Sequence, residues 1–259
     1  MSATNFALVG GATSGLGLAS ARALAAAGHD VLLWSRDQGG LDAVAEDLRT
    51  RHPGRSFTTV AADATDPGTA ALVADAALAA GGPAVVVLNQ GGPPPVDPAA
   101  TDADGWRRAF QMLAITPIEL ATRLLPPMRA AGFGRIIAIL SSGVVEPIPT
   151  LAYSNAARAA LMAWLKTAAG AVAADGVTLN GVMPGRIATP RVASLDQAAA
   201  ARTGKTVEQV QAASAATIPA GRYGTPEEFA AMVAFLASPA ASYITGHAHA
   251  VDGGMLKGW

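Results

Sequence analysis

Short apolar runs rich in valine and isoleucine alternate along this chain with longer alanine- and leucine-rich stretches of helical period. Strand character falls on residues 6–10, 31–35, 57–61, 84–89, 135–141, 177–183 and 248–252. Helical periodicity fills 16–27, 41–49, 69–80, 106–131, 153–174 and 226–237. Gly28, Gly132 and Gly176 follow three of these helices, where a residue free to take positive φ ends the last turn. Nearly continuous apolar strands, each followed by a helix, predict repeated βαβ units and a parallel sheet covered on both faces. Two stretches lack clear periodicity: 91–100, with Pro93-Pro94-Pro95, and 189–224. Both begin where strands deliver their carboxyl ends, which is where open parallel sheets bind ligands. The second is the expected substrate segment, with Asp196, Arg202, Lys205 and Glu208 read as a solvated face. The proline run suits either a pocket wall or a stiff connector.

No repeat or long linker divides the 259 residues, so one domain over 1–259 is expected. A net charge of -1 removes the basic surface that nucleic acid requires. Apolar runs are broken by charges such as Asp75, Arg158 and Lys166, short of the roughly 20 residues that span a membrane. The opening Met1 to Asn5 lacks a basic cluster, so no secretory signal is read and a cytoplasmic address is expected. With no cysteine, and with His29, His52, His247 and His249 scattered, no metal site is expected.

Chemistry enters directly after the first strand, at Gly10-Gly11-Ala12-Thr13-Ser14-Gly15-Leu16-Gly17. Glycines at 11, 15 and 17 allow a sharp turn and close approach of backbone to a diphosphate, and the free N–H groups of the following helix favour its charge. Thr13, Ser14 and Leu16 share this contact. At the tip of the second strand stand Ser35 and Arg36, not the carboxylate that would accept from ribose hydroxyls. A hydroxyl and a guanidinium fork suit a 2′-phosphate, so NADP(H) is favoured and NAD(H) remains possible, with Asp37 as the contrary sign.

The glycine pattern resembles the Thr-Gly-x-x-x-Gly-x-Gly signature of the short-chain dehydrogenase/reductase family, with Gly10 for threonine. Further matches run the length of the chain and are similar to the 3-oxoacyl-ACP-reductase-like branch. Leu88-Asn89-Gln90-Gly91 stands where the family has Asn-Asn-Ala-Gly, so Asn89 and Gly91 match. Asp63, followed by Ala64, looks like the aspartate that holds the adenine. Pro184-Gly185-Arg186-Ile187-Ala188-Thr189 is similar to the segment that contacts the nicotinamide amide and phosphates, with Pro184, Gly185, Ile187 and Thr189 as its contacts. Val251-Asp252-Gly253-Gly254 resembles the closing motif. The resemblance implies a Rossmann-type, doubly wound, mostly parallel seven-stranded sheet, and a homodimer or homotetramer joined through the helices at 106–131 and 153–174.

The same resemblance implies a serine, a tyrosine, a lysine four residues later and an assisting asparagine at the substrate oxygen. Ser142, in Ser141-Ser142, looks like the serine. In Tyr153-Ser154-Asn155-Ala156-Ala157-Arg158-Ala159-Ala160-Leu161, alignment on Ala-Ala-Leu puts Arg158 at the lysine and Ser154 at the tyrosine. Tyr153 stands one residue early, a rotation of about 100° on a helix, and Leu113 falls at the asparagine. The candidate catalytic set is Ser142, Tyr153 and Arg158, with Arg158 also on the cofactor ribose. Tyr153 is either the proton donor or a packed aromatic, and whether Tyr153 or Ser154 gives the proton stays open. Two functions stay open: an NADP(H)-dependent oxidoreductase for a small ketone or secondary alcohol with an atypical motif, or a cofactor-binding homologue with little redox turnover.

Overall fold

The structure, a computed structural model, describes residues 5–258. The opening residues Met1 to Thr4, and Trp259, lie outside them. Seven strands form one sheet: β1 (Phe6–Gly10), β2 (Asp30–Ser35), β3 (Phe57–Ala61), β4 (Val85–Leu88), β5 (Gly134–Ile139), β6 (Val177–Pro184) and β7 (Ala248–Val251). Their order is β3-β2-β1-β4-β5-β6-β7, and every pairing is parallel. This is the doubly wound, Rossmann-type α/β fold, parallel throughout where the sequence predicted mostly parallel.

Burial explains why these strands read as unbroken apolar runs. β4 is Val85-Val86-Val87-Leu88, and all four residues are buried. Alternate strand residues feed two cores. On one face Leu8, Leu32, Val86, Ile136 and Leu179 pack under α3 (Thr69–Ala79), α5 (Thr116–Ala131) and α6 (Ala152–Val172). On the other face Val9, Leu33, Val87, Ile137 and Val182 pack under α1 (Gly15–Ala26), α2 (Gln38–Arg51) and α9 (Pro226–Ala237). Each fully buried valine or leucine contributes about 1.5–3 kcal/mol. The chain reverses its winding direction between β1 and β4, which opens a crevice above their carboxyl ends.

The stretch expected as one helix over 106–131 is interrupted. α4 (Ala103–Phe110) passes into a π-helical turn, Gln111–Ile115, before α5 begins. The π turn closes with Thr116 N donating to Gln111 O, five residues back, and Pro117, which has no N–H to give, follows in the first turn of α5. Thr116 fixes the turn to the loop after β3 by donating its hydroxyl to Ala64 O at 2.8 Å.

The segment 189–224, which lacks a clear period, folds into α7 (Pro190–Thr203) and α8 (Val207–Ala216). Its two ends meet: Ile187 bridges Gly224, Ala188 N donates to Gly224 O at 2.9 Å and Gly224 N to Arg186 O at 2.9 Å. Asp196 is not on a solvated face. It is fully buried, 3.1 Å from Arg186 Nη1, and accepts from Tyr223 OH at 3.1 Å, so the carboxylate ties α7 to both ends of the segment.

α9 carries a pH-sensitive cap. Glu228 accepts from Arg222 at 2.6 Å and from Thr225 N at 2.8 Å. The Arg222 bond first, then the Thr225 amide, draw its carboxyl down to about 2 from the ordinary 4.5. A depressed carboxyl contributes stability that is complete above the unfolded value and is lost as pH falls toward the folded one. Acid unfolding followed by circular dichroism is therefore expected to show a shallower slope between those two values in Glu228→Gln than in the wild type.

Candidate functional site

The crevice is walled by loops that leave the strand ends. After β1 the chain turns at Gly11, whose φ is 58°, and at Gly15, whose φ is 54°. Both angles lie in the left-handed region that suits glycine. Asn89, at the end of β4, donates Nδ2 to Gly10 O at 3.1 Å and so fastens this turn to the sheet. A Cβ on Gly17 would stand 2.6 Å from the Gly11 carbonyl carbon and 2.7 Å from Asn89 Nδ2, so the first turn of α1 lies against the loop only because residue 17 has no side chain. Ser14, at the head of α1, makes no side-chain cap, which leaves the first amides of the helix for an incoming anion.

A cavity of about 1040 Å³ runs over this turn, and a second of about 560 Å³ shares part of its wall. Together they exceed the ~300–1,000 Å³ of an ordinary small-ligand pocket. The larger is lined by Gly11, Thr13, Ser14, Gly15 and Leu16, by Ser35 and Arg36, and by Asn89 and Gly91. Pro184, Gly185, Ile187 and Thr189 close it from the β6 side. Asp63 and Ala64 line the smaller one, with Arg36 between the two. Gly17 sits behind the turn and supports it. The residues singled out in the sequence for a dinucleotide thus converge on one crevice. Pro95 borders both cavities, so the proline run is pocket wall.

The tip of β2 has the chemistry of a 2′-phosphate seat. Ser35 and Thr13 share a hydroxyl contact at 3.2 Å. Arg36 lies 3.6 Å from Asp63, but its side chain is 76% exposed and a surface pair of this kind holds weakly, so the guanidinium is free to turn to a phosphate. Asp37 borders neither cavity and heads α2 instead.

At the other end of the larger cavity stand Ser142, Ser154 and Arg158. Ser142 begins a 3-10 turn after β5, and its hydroxyl makes no hydrogen bond among the described residues. Arg158 is buried between the ends of β5 and β4: Nη1 donates to Ile139 O, Nη2 to Gln90 O at 3.2 Å and Nε to Ser154 Oγ at 3.3 Å. Burial first, then the neighbouring Arg191, lower its pKa to about 10, which still leaves it cationic at neutral pH.

Tyr153 does not join this group. Its ring packs edge-on against Trp106 at 4.7 Å, and its hydroxyl accepts from Asp102 N at 2.9 Å. Gly105 makes the room: a Cβ there would lie 3.0 Å from Tyr153 Cε2 and closer still to Cζ and the hydroxyl. Tyr153 therefore borders only the smaller cavity, while Ser154, one residue on, faces Ser142's cavity. Leu113, at the expected asparagine position, is buried in the π turn.

Two polar residues of the site had no role assigned from sequence. Gln90 is buried, borders both cavities, and its Nε2 has no partner among the described residues. A buried amide donor without an acceptor costs about 1–3 kcal/mol, so this one is suited to a ligand oxygen. Arg191, on α7, donates to Pro93 O at 2.6 Å and reaches across the crevice mouth. Gln90 was visible as a departure within the Asn-Asn-Ala-Gly match; Arg191 gave no signal.

Residues 11–256 match the family model described as Enoyl-(Acyl carrier protein) reductase. The chain belongs to the short-chain dehydrogenase/reductase family. It is 38% identical over 256 residues to cis-4-hydroxycyclohexanecarboxylate dehydrogenase of Sinomonas cyclohexanicum, covering 97% of this chain and 96% of that one. Among solved structures it is similar to YwfH, an NADPH dependent reductase involved in bacilysin biosynthesis, with TM-score 0.93, 30% identity and coverage of 98% and 99%. L-Sorbose reductase from Gluconobacter frateurii, complexed with NADPH and L-sorbose, superposes with TM-score 0.92 and 31% identity over 98% of this chain and 97% of that one. In this short-chain dehydrogenase/reductase the glycine turn and the tip of β2 line the same cavity as Ser142, Ser154 and Arg158.

Proposed function

We propose that the protein is an NADP(H)-dependent oxidoreductase that interconverts a small ketone and the matching secondary alcohol at an active site of unusual composition. The observation that carries this reading is that the diphosphate turn, the Ser35–Arg36 tip and Ser142 line one cavity. The crevice fits the cofactor by its own chemistry: uncapped amides at the head of α1, a cationic tip on β2 and an unpartnered amide donor at Gln90. Names among the relatives support the substrate class, since a hydroxycyclohexanecarboxylate and L-sorbose both carry secondary hydroxyls.

When bound, the reduced nicotinamide supplies a hydride. The protein's residues do the rest. The amides of residues 14–17 hold the diphosphate, Arg36 and Ser35 grip the 2′-phosphate, and Gly185 to Thr189 bound the nicotinamide end. Asp63 and Ala64 border the adenine, with Asn89 and Gly91 keeping the floor of the crevice in place. Ser142 orients the substrate oxygen by a hydrogen bond. Arg158 puts a fixed positive charge beneath the point where that oxygen becomes negative, and a charge already in place there stabilises the developing anion without reorganisation. The face made by α5 and α6, with Ile115 exposed beside it, is assigned to pairing with a second copy of the chain.

The test is fluorescence titration with NADPH and NADH, followed by a panel of cyclic and acyclic ketones in the same cuvette. Tighter binding of NADPH, and its oxidation by at least one ketone, are expected. Arg36→Ala should weaken NADPH by about 10–100-fold, the worth of a lost charge-assisted contact, and leave NADH within about twofold. Equal loss for both coenzymes would remove the 2′-phosphate assignment. Binding without oxidation across the panel would favour a cofactor-bound homologue with little redox turnover, a reading that the absence of Tyr153 from Ser142's cavity keeps in view.

A further inference from the structure

We infer that the hydroxyl of Ser154, oriented by Arg158, is the proton donor of this site; this rests on the reading of the protein as a ketone reductase. A guanidinium has five N–H donors and no acceptor. In the contact between Arg158 Nε and Ser154 Oγ, 3.3 Å long, the serine oxygen must therefore be the acceptor. Ser154 Oγ makes no other hydrogen bond among the described residues, not even the return to a carbonyl one turn back that Ser20 makes to Leu16 at 2.7 Å. Its hydrogen is thus unspent, and it belongs to a buried side chain that borders the cavity shared with Ser142.

The competing donors are committed elsewhere. Tyr153 OH accepts from the Asp102 amide and lies against Gly105 and Trp106, in the other cavity. Arg158 directs Nε, Nη1 and Nη2 to Ser154, Ile139 O and Gln90 O, and a guanidinium that stays cationic at neutral pH holds its protons, so it orients a donor and is not one. Ser142 has a free hydroxyl but no cation bonded to it. Of these four side chains, Ser154 combines an available proton with a fixed positive partner that can hold the charge left behind.

The step balances. A hydride, which the reduced nicotinamide would supply, would form the new C–H bond as the carbonyl π pair moves onto oxygen. That oxygen takes the Ser154 proton and becomes the alcohol hydroxyl. The serine oxygen, now anionic, is held by the Arg158 Nε–H until water entering the open cavity reprotonates it. In the oxidising direction the same groups run in reverse. Ser154 touches the reacting oxygen, and Arg158 acts through it as a positioning residue.

The test uses the whole protein saturated with NADPH, mixed in a single turnover with the ketone that the wild type reduces best. Ser154→Ala should slow NADPH oxidation by about 100-fold or more, the usual worth of a positioned acid, with NADPH affinity within about twofold. Ser154→Thr keeps the hydroxyl and should recover most of the rate, which a packing role alone would not produce. Tyr153→Phe should stay within about threefold of the wild type. A Ser154→Ala protein at full rate, or a Tyr153→Phe protein slowed as much as expected for Ser154→Ala, overturns the assignment while the reductase reading stands. A wild type that binds NADPH and reduces no ketone overturns both, and is told apart because the parent protein is then itself inert.

Discussion

Gly17→Ala is expected to abolish useful NADPH binding, with affinity down by more than about 100-fold, or roughly 2.7 kcal/mol. The added methyl has nowhere to go: it would lie 2.6 Å from the Gly11 carbonyl carbon and 2.7 Å from Asn89 Nδ2, and the first of these is backbone that a rotamer change cannot move. Relief requires α1 to lift from the turn or Asn89 to release Gly10 O, and either motion dismantles the row of amides that receives the diphosphate. Gly39→Ala makes a fair control. A Cβ there meets only Asp37 Oδ1, at 3.7 Å, and alanine in helix α2 should leave binding unchanged and raise stability slightly. Fluorescence titration of the two variants side by side decides the matter. A Gly17→Ala protein that binds NADPH like its parent would show that the glycine serves packing elsewhere.

Arg158→Ala is expected to destabilise the fold by about 3 kcal/mol, because two carbonyls at the strand ends, Ile139 O and Gln90 O, lose their donor while still buried. At this chain size that is a fall in Tm of about 6–12 °C. Arg158→Lys should lie between the two proteins: the ammonium restores the charge but cannot span a fork whose acceptors belong to different strands. Arg22→Ala, which breaks only the exposed pair with Asp47 at 3.1 Å, should shift Tm by a small fraction of that. Thermal unfolding by calorimetry reads all three. A melting point for Arg158→Ala within about 1 °C of the parent would mean that the guanidinium is not what satisfies those carbonyls.

The turn after β1 and the tip of β2 were legible in the sequence because they depend on backbone and chain position. Glycines at 11, 15 and 17, and the identity of Ser35 and Arg36 at a strand tip, act through local conformation and position along βαβ units, and each appears where the pattern placed it. The seven strands were legible for a similar reason, since burial on both faces leaves an unbroken apolar run. α7 and α8 escaped because they bury almost nothing apolar: α7 buries only Asp196 and Ala200, and α8 buries no residue fully, so no stripe marked them. Their ends were nonetheless written, in Thr189-Pro190, Gly204 and the Thr206–Gln209 capping box.

Tyr153 could not be settled from sequence, since what fixes its direction lies 51 residues away in the Asp102 amide, with Gly105 as the gap beneath the ring. The buried state of Asp196 was hidden likewise. Polar neighbours along the chain suggest solvent, and only the meeting with Arg186 and Tyr223 takes the carboxylate inside.

The narrow neck at Ile187 and Gly224 changes how this enzyme can be altered. Since backbone bonds there hold the two ends together, the entropy of closing the segment grows only slowly with its length, roughly 0.6 kcal/mol per doubling. The stretch that roofs the reactive end can change length and sequence outside Thr189 and Asp196, while the sheet and its coenzyme seat stay as they are. Selection for a new alcohol, in nature or in a library, would find its cheapest changes between those two residues.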